Sequence, residues 1–95
     1  MSAAEDNSKL EERAISAERV QIGVRLEKRM VKVLKGLAEY HDMSLGDLLE
    51  GIVLHVFESK LPFSEESLKR INQLKEVYSM DYGVSASHRL IEPAE

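Results

Sequence analysis

Between Arg19 and Leu26 the chain alternates polar and apolar positions one by one. Val20, Ile22, Val24 and Leu26 fall on one parity, and Arg19, Gln21, Gly23 and Arg25 on the other. A two-residue period is that of a half-buried β-strand. Downstream, almost everything to about Met80 has helical spacing, so the expected strand has no mate in its own chain. An unpaired strand leaves a row of backbone N–H and C=O groups without partners, which predicts that the mate is the same strand of a second copy. Two such strands, antiparallel about a two-fold axis, would form one ribbon with its apolar side chains inward and its polar positions outward. A ribbon of that kind is one of the shapes that fits the DNA major groove.

From Glu27 to about His41 the period changes to that of an amphipathic helix. Met30, Val31, Leu34, Leu37, Ala38 and His41 recur at intervals of three and four, with Lys28, Arg29, Lys32 and Lys35 mostly opposite. Gly36 inside this helix costs about 1 kcal/mol relative to Ala, so the expectation is a close approach of another backbone there. Asp42 tolerates a left-handed backbone and ends the helix. Ser44, with Asp47 three residues on, is a capping arrangement that starts a second helix. That helix runs from Leu45 to about Glu58, with Leu48, Leu49, Ile52, Val53, Val56 and Phe57 in a broad apolar stripe that Leu45 and Leu54 widen. An apolar face this wide predicts burial in a dimer core.

Leu61, Pro62 and Phe63 break the second helix. Ser64, Glu65 and Glu66 then start a third, with acidic residues where the helix dipole favours them. Leu68, Ile71, Leu74 and either Val77 or Tyr78 give it a narrow stripe, and it is expected to end near Met80 to Gly83. The organisation that follows is a disordered tail over residues 1–17, a strand and helix pair over 18–59, and an extension over 60–95 with a helix at about 65–80. The last stretch, around Arg89, Leu90 and Ile91, reads as a tail or a short extended segment.

Composition changes this picture mainly through charge. The net charge is −4, which alone argues against a nucleic-acid partner. Its distribution does not. From Glu18 to Gly36 six basic residues (Arg19, Arg25, Lys28, Arg29, Lys32, Lys35) face two acidic ones, a balance of +4. From Leu37 to Leu68 seven acidic residues face Lys60 alone, a balance of −6. Local potential, rather than the sum, steers a partner.

A strand of the form V-x-I-x-V-x-L, a helix of about fifteen residues, a short turn into Ser44 and an apolar helix together resemble the ribbon-helix-helix family of the Arc, MetJ and CopG type, over Gln21 to Phe57. The resemblance implies a mainly α fold with one short β-strand: an intertwined homodimer held by an intermolecular two-stranded antiparallel ribbon, here with a third C-terminal helix added. It also implies sequence-specific binding of double-stranded DNA, as in a transcriptional repressor. In the family the outward strand residues read base edges, which places that role on Gln21, Gly23 and Arg25, with Arg19 one step outside. Gln pairs with adenine N6 and N7, and Arg with guanine O6 and N7. Phosphate contacts would fall on Lys28 and on Ser44, Leu45 and Gly46 at the start of the second helix, an anion site on physical grounds as well. The dimer core would comprise Val20, Ile22, Val24, Leu26, Leu34, Leu48, Leu49, Ile52, Val53 and Val56. Where the family commonly has Gly in its turn, this chain has Asp42.

Other classes are weaker fits. With no Cys there are no disulfides and no thiolate chemistry. No Ser-His-acid grouping or Gly-rich phosphate loop points to an enzyme, and His41, His55 and His88 lack a paired metal-ligand spacing. No cofactor or metal is expected. No apolar run is long enough to span a bilayer and the N-terminus lacks the regions of a signal peptide, so the default is a cytoplasmic protein. The rival reading is an interaction module, such as the antitoxin of a toxin-antitoxin pair, with a protein partner bound through residues 60–95. The core-type stripe of the third helix argues against a toxin-wrapping tail, so that helix is expected to pack on the dimer or to join dimers on adjacent half-sites.

Overall fold

The computed structural model describes residues 14–94. Most of the expected N-terminal tail therefore lies outside the described residues. Three helices of 13 residues follow one another: α1, Lys28–Tyr40, α2, Leu45–Phe57, and α3, Glu65–Val77. A 3-10 turn at Val84–Ala86 precedes an irregular C-terminal segment.

Each helix starts on a side chain that accepts a hydrogen bond from its first turn. Glu27 Oε2 accepts from the Arg29 amide (3.0 Å), Ser44 Oγ from the Asp47 amide (3.1 Å) and Ser64 Oγ from the Ser67 amide (3.2 Å). The ends also repeat one device. Asp42, Ser59 and Ser79 take the left-handed backbone at φ 56, 57 and 55°, just past α1, α2 and α3. In each case the next residue's amide closes the turn by donating five residues back: Met43 to Ala38, Lys60 to His55 and Met80 to Lys75. This is the Schellman arrangement, which usually recruits Gly. A non-Gly residue there costs about 1 to 2 kcal/mol, so these ends are held by the tertiary packing on either side. The left-handed Asp42 agrees with the turn expected from the sequence. The second helix ends at Phe57, before the Leu61–Phe63 break, and the third ends at Val77, short of Met80 to Gly83.

The core is small and centred on α1, which packs against both α2 and α3, more extensively against α3. Leu37, Ala38 and Leu48 form its buried centre, with Leu34, Leu45, Ile52, Phe63, Ile71 and Leu74 packed against it. Val33 is also buried, although the expected stripe on α1 passed through Val31 and Leu34. Two neighbours cover α1, so its buried face is wider than a single stripe. Gly36 marks a close approach of a side chain, not of a backbone: a Cβ there would lie 2.8 Å from Leu74 Cδ2 of α3. On α3, Ile71 and Leu74 face the core as expected, while Leu68 and Val77 are exposed. Ser67 is buried instead, with its hydroxyl 3.0 Å from His41 Nε2. That pair ties the start of α3 to the end of α1.

The expected ribbon-helix-helix fold is not what the structure shows. The described residues are mainly helical, as expected, but contain no β-strand, and hence no ribbon. Residues 14–27 run without regular structure, and no backbone hydrogen bond joins residues 14–26 to another described segment. Alternation fixes which side chains share a side, but a strand is defined by its ladder, and no other described segment supplies one. The apolar parity is left in the open: Val20 is 78% exposed, Ile22 75% and Val24 68%.

Candidate nucleic-acid interface

Two features of the exposed segment set its chemistry: the polar parity it presents and the carboxylates that reach it. Gln21 and Gly23 are exposed. Gly23 has a negative φ and nothing within 4 Å of where a Cβ would be, so the fold gives no local reason for glycine there. Arg19 is engaged from α2: its Nε and Nη2 donate to the two carboxylate oxygens of Glu50 at 2.9 and 2.8 Å, and Asp47 lies 3.8 Å away. A two-pronged guanidinium-carboxylate pair is the strong geometry for such ions. The pairing raises the Arg19 pKa and lowers that of Glu50. Arg25 donates to Glu92 of the C-terminal segment, with both side chains largely exposed.

Directly after this segment, the start of α1 is gripped by the chain that leaves α3. Arg29 Nη1 donates to the Ser79 carbonyl (2.9 Å) and to Asp81 Oδ1 (3.2 Å), and its guanidinium sits 5.4 Å from the centre of the Tyr82 ring. The Tyr82 hydroxyl donates to Glu27 Oε1 at 2.6 Å. Glu27 thus accepts from the Arg29 amide, from Tyr82 and from the Arg29 side chain. These bonds hold its pKa down to about 2, the Arg29 amide contributing most. Partial burial first, and then the adjoining Glu27 carboxylate, push the Tyr82 phenol up to about 12. The clamp fixes the junction between the extended segment and α1.

Other expected contact residues are more loosely disposed. Lys28 and Lys35 are exposed on α1, and Lys32 lies 5.5 Å from the centre of the Tyr78 ring. Ser44 Oγ is occupied as the cap of α2, which leaves the amides of Leu45 and Gly46 among the first-turn donors that no intrahelical carbonyl can satisfy. Lys35, Glu39, Asp42, Ser44 and Leu45 border one shallow depression, so one cation and two acids face this helix start. Of the residues expected in a dimer core, Leu48 is buried and Leu34 and Ile52 are half-buried in the core of the single chain. Val20, Ile22, Val24, Leu26, Leu49, Val53 and Val56 remain exposed, as does Phe57 at the end of α2.

The sequence pointed to the basic run but not to what neutralises it. Glu50 and Asp47 belong to the acidic stretch already visible as a −6 block, and that segregation was the available signal. The Glu92 partner of Arg25 and the Asp81 partner of Arg29 lie more than fifty residues away, beyond any periodic pattern. Among the described residues, no helix is long and apolar enough to cross a membrane, and no group of three or more acidic or His side chains is placed to hold a metal ion. Comparison with protein-family models, curated proteins and solved structures finds no match to this chain.

Proposed function

We propose that this chain works as a homodimer that binds double-stranded DNA with sequence preference, as a transcriptional repressor in the cytoplasm. The observation that carries the proposal is the exposed segment Arg19–Leu26, apolar on one parity and polar on the other. Its apolar residues, together with Leu49, Val53, Val56 and Phe57 of α2, are left wholly or partly uncovered within one chain. Covering them between two copies would yield on the order of 10–20 kcal/mol even at half of the full side-chain burial value. That is comparable with or greater than the roughly 4–15 kcal/mol of freedom lost on association. A second copy is the occupant that brings a matching apolar surface of its own.

The polar parity then faces outward from such a pair. Gln21 and Arg25 have the donor and acceptor geometry to read adenine and guanine edges, each good contact giving about 1 to 3 kcal/mol of discrimination. Lys28 and the first-turn amides of α2 at Ser44, Leu45 and Gly46 are suited to phosphate oxygens. The antitoxin reading draws no support from α3, which directs Ile71 and Leu74 into the core of its own chain.

Selection of bound duplexes from a random pool tests the proposal. An enriched half-site is expected, with affinity for it falling steeply as salt rises. Arg25→Ala should relax the sequence preference, whereas Lys28→Ala should weaken all duplexes alike. Equal losses on every sequence for both variants would remove the base-reading roles.

A further inference from the structure

The C-terminal segment reaches the proposed contact surface by a defined path. Ser79 turns the chain back after α3, the Arg29, Asp81 and Tyr82 contacts fix it beside the start of α1, and the left-handed His88 (φ 65°) turns it again. Residues 90–93 then border one hollow together with Arg25, Leu26 and Met30. Leu90 also lines the half-open apolar pocket of about 440 Å³ that Met30, Ile71 and Tyr82 border. Glu92 is thereby delivered to the Arg25 guanidinium.

Resting on the DNA-binding reading, we propose that Glu92 is an internal competitor: it occupies Arg25 in the free protein, and a polyanion must displace it to bind. The two arginines of the segment differ in a way that suits this division. Arg19 is held by both oxygens of Glu50, a residue fixed on α2, and serves as the tether. Arg25 is held through one nitrogen by one oxygen of an acid on an irregular segment, and both groups are open to water. Exposed pairs of this kind contribute only about 0.2 to 1 kcal/mol. A duplex that offers several phosphates at once therefore overcomes the contact while its affinity is lowered by it.

The full chain and its variants are titrated with one mixed-sequence duplex at fixed salt, and the Arg25 Nε–H signal is followed by NMR in the absence of DNA. Glu92→Gln is expected to tighten duplex binding by about 1.4- to fivefold, the conversion of that pair energy, and to move the Arg25 signal. Glu76→Gln makes the same charge change on the exposed surface of α3 and is expected to do neither. In an Arg25→Gln background the gain from Glu92→Gln should vanish. Equal effects of Glu92→Gln and Glu76→Gln, or a gain that persists without Arg25, would overturn the competition. A chain in which no variant binds duplex, while the Arg25 signal still answers to Glu92→Gln, would overturn the DNA reading itself and the competition with it.

Discussion

Leu37 and Ile22 are both branched aliphatic side chains in regular periodic patterns, yet Leu37 is 1% exposed and Ile22 is 75% exposed. The difference lies in what their own chain can put against them. Leu37 sits on α1 between α2 and α3, where the helix caps, the left-handed ends and Gly36 bring neighbours within reach. Ile22 sits on a segment whose polar parity is tied down at Arg19 and Arg25 while its apolar parity, from Val20 to Val24, stays largely exposed. Equal hydrophobicity therefore marks an internal core in one region and an uncovered surface in the other, the surface on which the proposed second copy would sit.

The largest effect should come from breaking the packed side of this comparison. Leu37→Ala removes the most deeply buried side chain, and a loss of about 2 to 5 kcal/mol is expected in urea unfolding. Ile22→Lys acts on the open side. It should leave the helical circular dichroism of the chain intact while abolishing self-association, so the two substitutions separate fold from assembly. If Ile22→Lys unfolds the helices as well, the two regions are not independent.

A smaller effect concerns the clamp that joins the two regions. The Glu27 pKa lies below its ordinary 4.5 at about 2, so its bonds contribute stability that is complete above pH 4.5 and is lost as pH falls towards 2. The Tyr82 pKa lies above its ordinary 10.0 at about 12, so its contribution is complete below pH 10 and is lost as pH rises towards 12. Urea midpoints measured across pH should fall at both ends. Glu27→Gln should flatten the acid fall, and Tyr82→Phe the alkaline one. The smallest effect is local: Ser79→Gly relieves a left-handed φ of 55° and should raise stability by about 0.5 to 1 kcal/mol. A loss in its place would show that the Ser79 side chain is needed at that turn.

Much of the helical layout was legible because its signals are local. Ser44 and Ser64 cap the helices they were expected to start, and Asp42 turns left-handed where α1 was expected to stop. The ribbon was misread because alternation at Val20 to Leu26 reports a shared side, while a strand needs a partner's backbone. The stripes missed Val33 and Ser67, which are buried, since burial depends on which neighbours arrive and not on hydropathy alone, while Val53 and Phe57 of the stripe expected in a dimer core are exposed in the single chain. The contacts of Arg19, Arg25 and Arg29 were invisible for a similar reason. Asp81 and Glu92 are brought in by the turns at Ser79 and His88, and Glu50 meets Arg19 where the extended segment passes α2, none of which a spacing rule anticipates.

The central claim is that the open region around Ile22 and Val53 is where a second copy sits. Sedimentation equilibrium of the full chain at micromolar concentration tests it most directly. The account predicts a species of twice the 10.8 kDa chain mass that reverts to single chains on Ile22→Lys. A wild-type chain that sediments as a single 10.8 kDa species throughout that range would contradict it.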